Sequence, residues 1–183
     1  MLLSQRHVVT AAHCIQSKGD EKSKKASDAL FFIGKYNLDS WSEDGYVESG
    51  ASKLIVHPDW DINSDRYDSD LAIVVLSKPV VYTNYIKPIC LWSSPSTDIR
   101  DIEGTEGIVV GWGKTEDDVL STSEPKLVKV PIVDDGECLR SNERFSVITS
   151  KRTFCAGGRD GKGPCNGKYS LFHYSFMVKL NLN

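Results

Sequence analysis

His13 and Asp70 are the side chains whose setting points to chemistry. His13 closes the stretch His7-Val8-Val9-Thr10-Ala11-Ala12-His13-Cys14, where a β-branched pair leads into two small alanines and then a histidine beside a cysteine. An imidazole near its ordinary pKa of about 6.5 can take up and return a proton near neutral pH, the work of a general base. Asp70 stands at the mouth of the apolar run Leu71-Ala72-Ile73-Val74-Val75-Leu76. A carboxylate there is costly unless something pairs with it, and the second ring nitrogen of a histidine is such a partner. Asp68, two residues earlier, is the other acid at this place, and the setting alone does not choose between them. Asp61-x-Asn63-x-Asp65 superficially opens a calcium loop of the EF-hand type, which needs glycine at its sixth position and glutamate at its twelfth. Arg66 and Ala72 stand there instead, so no metal is expected.

The elements that must position these residues are short. Apolar segments rich in β-branched or aromatic residues lie at 7–10, 29–33, 53–56, 71–75, 107–110 and 127–133. Turn formers separate them: Asn63-Ser64-Asp65, Pro95-Ser96, Gly111-Trp112-Gly113 and Asp134-Asp135-Gly136. No window of about 11 residues or more keeps an apolar i, i+3, i+4, i+7 pattern, so long amphipathic helices are not expected and the class is mainly β. Residues 17–28, polar and lysine-rich, read as an exposed loop; the alternative is a basic exosite. Residues 77–104 carry Pro79, Pro88 and Pro95 and read as a connector between two β units.

Composition narrows the field. The chain has 183 residues, 40% hydrophobic, 26% charged and 9% aromatic, which excludes a collagen or a wholly disordered chain and suits one domain or two small ones. With 22 basic against 25 acidic side chains and a net charge of −3, there is no general basic surface for nucleic acid. The longest apolar run falls far short of the ~20 residues of a membrane helix. The N-terminal Met-Leu-Leu-Ser-Gln-Arg lacks the basic and apolar regions of a signal peptide. The five cysteines, Cys14, Cys90, Cys138, Cys155 and Cys165, form no CxxC pair, and their odd number leaves at least one thiol free or paired outside the chain.

Val8-Val9-Thr10-Ala11-Ala12-His13-Cys14 resembles the active-site histidine segment of the chymotrypsin-like (trypsin-like, peptidase S1) serine proteases, and Asp70-Leu71-Ala72 resembles their aspartate segment. Lys87-Pro88-Ile89-Cys90-Leu91, Gly107-Ile108-Val109-Val110-Gly111-Trp112-Gly113, Val130-Pro131-Ile132-Val133 and Phe154-Cys155-Ala156-Gly157-Gly158 extend the likeness over roughly residues 2–167. The wording from Gly157 to Gly167 is similar to the insect gastrulation-defective-like branch. The resemblance implies an all-β fold, a double six-stranded β-barrel, here incomplete at both termini. Residues 1–76 would be the first barrel without its opening strands, 77–104 the connector, 105–167 part of the second barrel, and 168–183 a tail unlike the family. It implies His13 as general base and Asp70 as the acid that orients it, the family's own mechanism carried over to these positions. It pairs Cys138 with Cys155, gives Cys14 an upstream and Cys165 a downstream partner, and puts Cys90 where a disulfide tethers a pro-domain. Implied partners are protein substrates or other proteases of a cascade, in an extracellular setting and without a cofactor. Lys35 stands where calcium-binding members place a glutamate after Ile-Gly, so no calcium is expected in that loop.

The chain departs from the family after Cys165. Where the family reads Cys-x-Gly-Asp-Ser-Gly-Gly, this chain reads Cys165-Asn166-Gly167-Lys168-Tyr169-Ser170-Leu171. Gly167 matches the oxyanion-binding glycine, but Lys168 replaces the aspartate and Tyr169 the nucleophilic serine. Ser170 is one residue late, displaced by more than about 3 Å where about 1 Å already costs ~100-fold. Gly163, two before Cys165, stands at the floor of the specificity pocket in place of the aspartate that selects Lys and Arg. Gly-Lys-Tyr is what GGT-AAG-TAT would encode, and GTAAGT is a common splice-donor sequence, so intron read-through is one account of the tail. The expectation is a serine endopeptidase by family, inactive as this chain. The alternatives are a non-catalytic homologue that binds or regulates, or a truncated gene-model product.

Overall fold

The computed structural model describes residues 1–91, 98–113, 122–157 and 179–180. The chain divides into two compact units, one of Met1–Ser64 with Ser69–Leu91, the other of Asp65–Asp68 with Trp92–Asn183.

In the first unit, β1 (His7–Thr10), β2 (Leu30–Ile33), β3 (Val47–Val56) and β4 (Ala72–Leu76) form an antiparallel sheet in the order β1-β4-β3-β2. The Ala-Ile-Val-Val-Leu run of β4 alternates as a strand must: Ala72, Val74 and Leu76 are buried and the residues between them half-buried. Val74 and Leu76 join Leu2, Val80 and Ile86 in the core, with Val8, Phe31, Ile33, Ala51 and Leu54 packed around them. β3 pairs with β2 through Gly50 and with β4 from Ala51 onward. At that handover Ser52 is a bulge between the Ala51 and Lys53 pairings, and its hydroxyl donates to Val75 O at 3.1 Å. A bulge bends a strand and increases its twist, which lets one strand serve two partners in a curled sheet. Glu48, Ser49, Gly50 and Ser52 carry no apolar pattern, so only the second half of β3 is evident from sequence.

Gly34 follows β2 at φ +82, and a Cβ there would lie 2.8 Å from Ile86 Cγ1. Glycine is required at this position by both backbone and packing. The beginning of the expected connector is tied to the N-terminal segment: Val80 N–H donates to Gln5 O at 2.8 Å and Ile89 N–H to Leu2 O at 2.9 Å. Each donor directly follows a proline, Pro79 or Pro88, which has no N–H to give.

In the second unit, β5 (Glu106–Gly111) lies between β6 (Lys126–Pro131) and the two-residue β7 (Lys179–Leu180), antiparallel to both. Ile102, Val130 and Ile132 are its buried aliphatic residues among those described. Two short helices follow β6: α1 (Asp135–Ser141) and α2 (Glu143–Ile148). The sequence reading makes Asp134-Asp135-Gly136 a turn, and the structure corrects this to a helix start. Asp134 accepts the Glu137 backbone N–H at 2.7 Å, an N-cap with an acid three residues on. Asn142 ends α1 and caps α2 by accepting from Arg144 N–H at 2.9 Å. Helices of seven and six residues are too short to show a helical period, so the all-β class stands. Cys138 on α1 is joined to Cys155 by a disulfide.

Candidate active site

Strand register brings the two candidate groups together. Thr10, the last residue of β1, pairs with Ala72, the first of β4. His13 lies just past the end of one strand and Asp70 just before the start of the other. A 3-10 turn, Ala12–Cys14, buries Ala12 and Cys14 on either side of His13 and leaves the imidazole 40% exposed.

Asp70 holds His13 at two points. Its Oδ1 accepts the His13 backbone N–H at 2.8 Å, and its Oδ2 lies 2.6 Å from the ring Nδ1. An ionised carboxylate only accepts, so Nδ1 carries the proton and Nε2 is the nitrogen turned away from the acid. The hydrogen bond to Asp70, then one to the Cys14 side chain, outweigh burial and hold the His13 pKa up at about 10. The pairing with Asp70 therefore favours the charged form of the ring.

Ser69, between the two candidate acids, has φ 57, and its buried hydroxyl has no hydrogen-bond partner among the described residues. The left-handed region is uncommon for a residue other than glycine, asparagine or aspartate. Leu71 N–H closes the turn on Ser69 O at 2.6 Å. Nothing in the sequence singles Ser69 out. Asp68, the substitute acid, is engaged within the second unit: it accepts the Ser150 hydroxyl at 2.7 Å and pairs with Arg152 at 3.1 Å.

The Trypsin family profile matches residues 1–169. The chain belongs to the trypsin family of serine proteases. It is 37% identical over 171 residues to serine protease gd of Drosophila melanogaster, covering 85% of this chain and 32% of that protein. That likeness supports the gastrulation-defective-like branch. It is 31% identical over 182 residues to phenoloxidase-activating factor 1 of Holotrichia diomphalia, covering 91% of this chain and 47% of the relative. Clotting factor C of Tachypleus tridentatus is 30% identical over 170 residues, 91% of this chain and 16% of its own length. The chain thus spans less than half the length of these relatives, and its all-β architecture is that of the family's chymotrypsin-like fold.

Other trypsin-family positions fall variously. Gly163, Cys165, Gly167, Lys168, Tyr169 and Ser170 lie outside the described residues. Cys90 is a free, exposed thiol. Lys35 is only 7% exposed: its ammonium pairs with Glu43 at 3.5 Å, donates to the Ser40 carbonyl and lies 3.9 Å from the centre of the Tyr46 ring. Glu43 also accepts the Tyr36 and Asn37 backbone N–H groups at 2.8 Å each. Burial raises the Glu43 pKa, but those backbone bonds and the Lys35 charge outweigh it and hold the carboxyl below its usual range. A lysine ammonium is thus the cation around which the 34–46 loop closes.

The lysine-rich loop after His13 is exposed along most of its length but anchored at its base. Lys18 donates to Ser64 O and lies 5.1 Å from the centre of the Trp60 ring, while Gly19 N–H donates to Ile62 O at 3.1 Å. No residue pattern in 17–28 signals that anchoring. No described helix is long and apolar enough to cross a membrane.

Proposed function

We propose that this chain carries the base half of a serine endopeptidase site, with His13 as general base and Asp70 as the acid that orients it, and that the chain itself does not hydrolyse peptide bonds. The two-point hold of Asp70 on His13 carries the reading, because it fixes the Nδ1–H tautomer and leaves Nε2 to face a hydroxyl. Acyl transfer then needs a serine hydroxyl at Nε2. Tyr169 stands at that serine's place in the motif, and a phenol at the end of a ring does not substitute for a hydroxyl one bond from Cβ. Removing the nucleophile of a comparable triad costs about 10⁶ in kcat.

Gly167 as oxyanion donor, Gly163 as pocket floor and Cys90 as the tether of a pro-domain rest on the family motif alone. The names of the relatives, phenoloxidase-activating factor and clotting factor, support protein substrates or other proteases of an extracellular cascade as partners. Lys168-Tyr169 equally favours a non-catalytic homologue that keeps the scaffold for binding. A fluorophosphonate probe labels only an activated serine. An unchanged intact mass after exposure supports the reading; a covalent adduct at Ser170 overturns it.

A further inference from the structure

The first unit contains a shallow, solvent-open cleft of about 500 Å³ lined by Ser4, Gln5, Arg6, His7, Pro79 and Tyr82. Hydrogen bonds fix the backbone around it: His7 O accepts Leu3 N–H at 2.7 Å, Arg6 O accepts Leu76 N–H at 2.8 Å, and Gln5 O accepts Val80 N–H at 2.8 Å. Within this frame Ser4 Oγ accepts the Arg6 and His7 backbone N–H groups at 3.3 and 3.2 Å and lies 2.8 Å from His7 Nδ1. With its lone pairs turned to two N–H donors, the hydroxyl gives its own proton to Nδ1. The neutral ring therefore carries its proton on Nε2, and that edge donates whether the ring is neutral or charged.

Arg6, Gln5 and Tyr82 add a guanidinium, an amide and a phenol, and none of the lining residues is acidic. Guanidinium forks match phosphate-like oxyanions in geometry as well as charge. The volume falls in the range of small-ligand sites, about 300–1,000 Å³, and exceeds what a bare ion fills. Pro79 and Tyr82 add one ring each to the lining.

We infer that this cleft binds a phosphate or sulfate monoester of a ring-bearing small molecule, with Arg6 and His7 Nε2–H on the oxyanion and Tyr82 and Pro79 against the ring. The site is separate from His13 and does not depend on the proposed function. The test follows the His7 and His13 side-chain NMR signals of the full chain in about 0.15 M salt, where loose surface attraction is screened. Phenyl phosphate and phenyl sulfate are titrated in separate arms, which identify the preferred anion. At least one ester is expected to shift His7 saturably without moving His13. Arg6→Gln is expected to weaken that ester about tenfold with an unchanged melting temperature, and Tyr82→Ala to weaken it while sparing inorganic phosphate. Absence of a saturable shift with either ester, equal affinity in Arg6→Gln, or the same shifts with plain phenol would overturn the assignment.

Discussion

Asp70 grips His13 through both carboxylate oxygens, Oδ1 on the backbone N–H at 2.8 Å and Oδ2 on the ring Nδ1 at 2.6 Å. The backbone bond holds the turn and the ring bond holds the side chain, so one carboxylate fixes both. The strand register that brings Thr10 opposite Ala72 makes both bonds possible.

The grip makes stability depend on pH in a definite direction. The folded-state pKa of His13 is raised from 6.5 to about 10. A raised value contributes stability that is fully present below the unfolded value and lost as pH rises through the folded one. Asp70→Asn is therefore expected to destabilise the chain most near pH 6, with the difference from the native chain shrinking by pH 10.5. Urea denaturation at intervals across that window measures it. A difference that grows with pH would contradict the geometry.

Lys35 does for the 34–46 loop what a bound cation does elsewhere. A buried charge stripped of its partner is costly, so Lys35→Met, which leaves Glu43 beside an apolar chain, is expected to lower the melting temperature more than Lys129→Met at the exposed Glu106–Lys129 pair. Added calcium is expected to leave the native melting temperature unchanged. A calcium-dependent rise in the native chain would mean the loop still takes the metal.

Cys138–Cys155 closes a loop with a sequence separation of 17, for which chain entropy gives about 3 kcal/mol. Replacing both cysteines with serine is expected to cost about that much by chemical denaturation. Non-reducing peptide mapping should recover the two residues in one linked fragment, and alkylation before reduction should modify Cys90. Recovery of Cys138 as a free thiol would refute the pairing.

Much of this was legible in the sequence, for physical reasons. β1, β4, β5 and β6 follow from short β-branched runs, because a half-buried strand needs such residues and turn formers to bound it. The first half of β3 was not legible, since Glu48-Ser49-Gly50-Ala51-Ser52 reads as a polar loop and pairs only because β2 and β4 lie beside it. The helices hid behind Asp134-Asp135-Gly136, where the same residues serve a turn and a helix cap; the decisive sign was Glu137, three residues after Asp134. Asp70 could be set above Asp68 only through the family motif. The separate engagements, Asp70 with His13 and Asp68 with Ser150 and Arg152, depend on contacts distant in the chain. Ser69 in the left-handed region carries no sequence signature at all.

The most direct test of the account is the proton NMR spectrum of His13. A ring Nδ1–H bonded to a carboxylate resonates far downfield, so the native chain should show that signal and Asp68→Asn should keep it. Asp70→Asn should lose it, with the His13 pKa falling toward 6.5. Persistence of the signal and the raised pKa in Asp70→Asn would contradict the central claim that Asp70 orients His13.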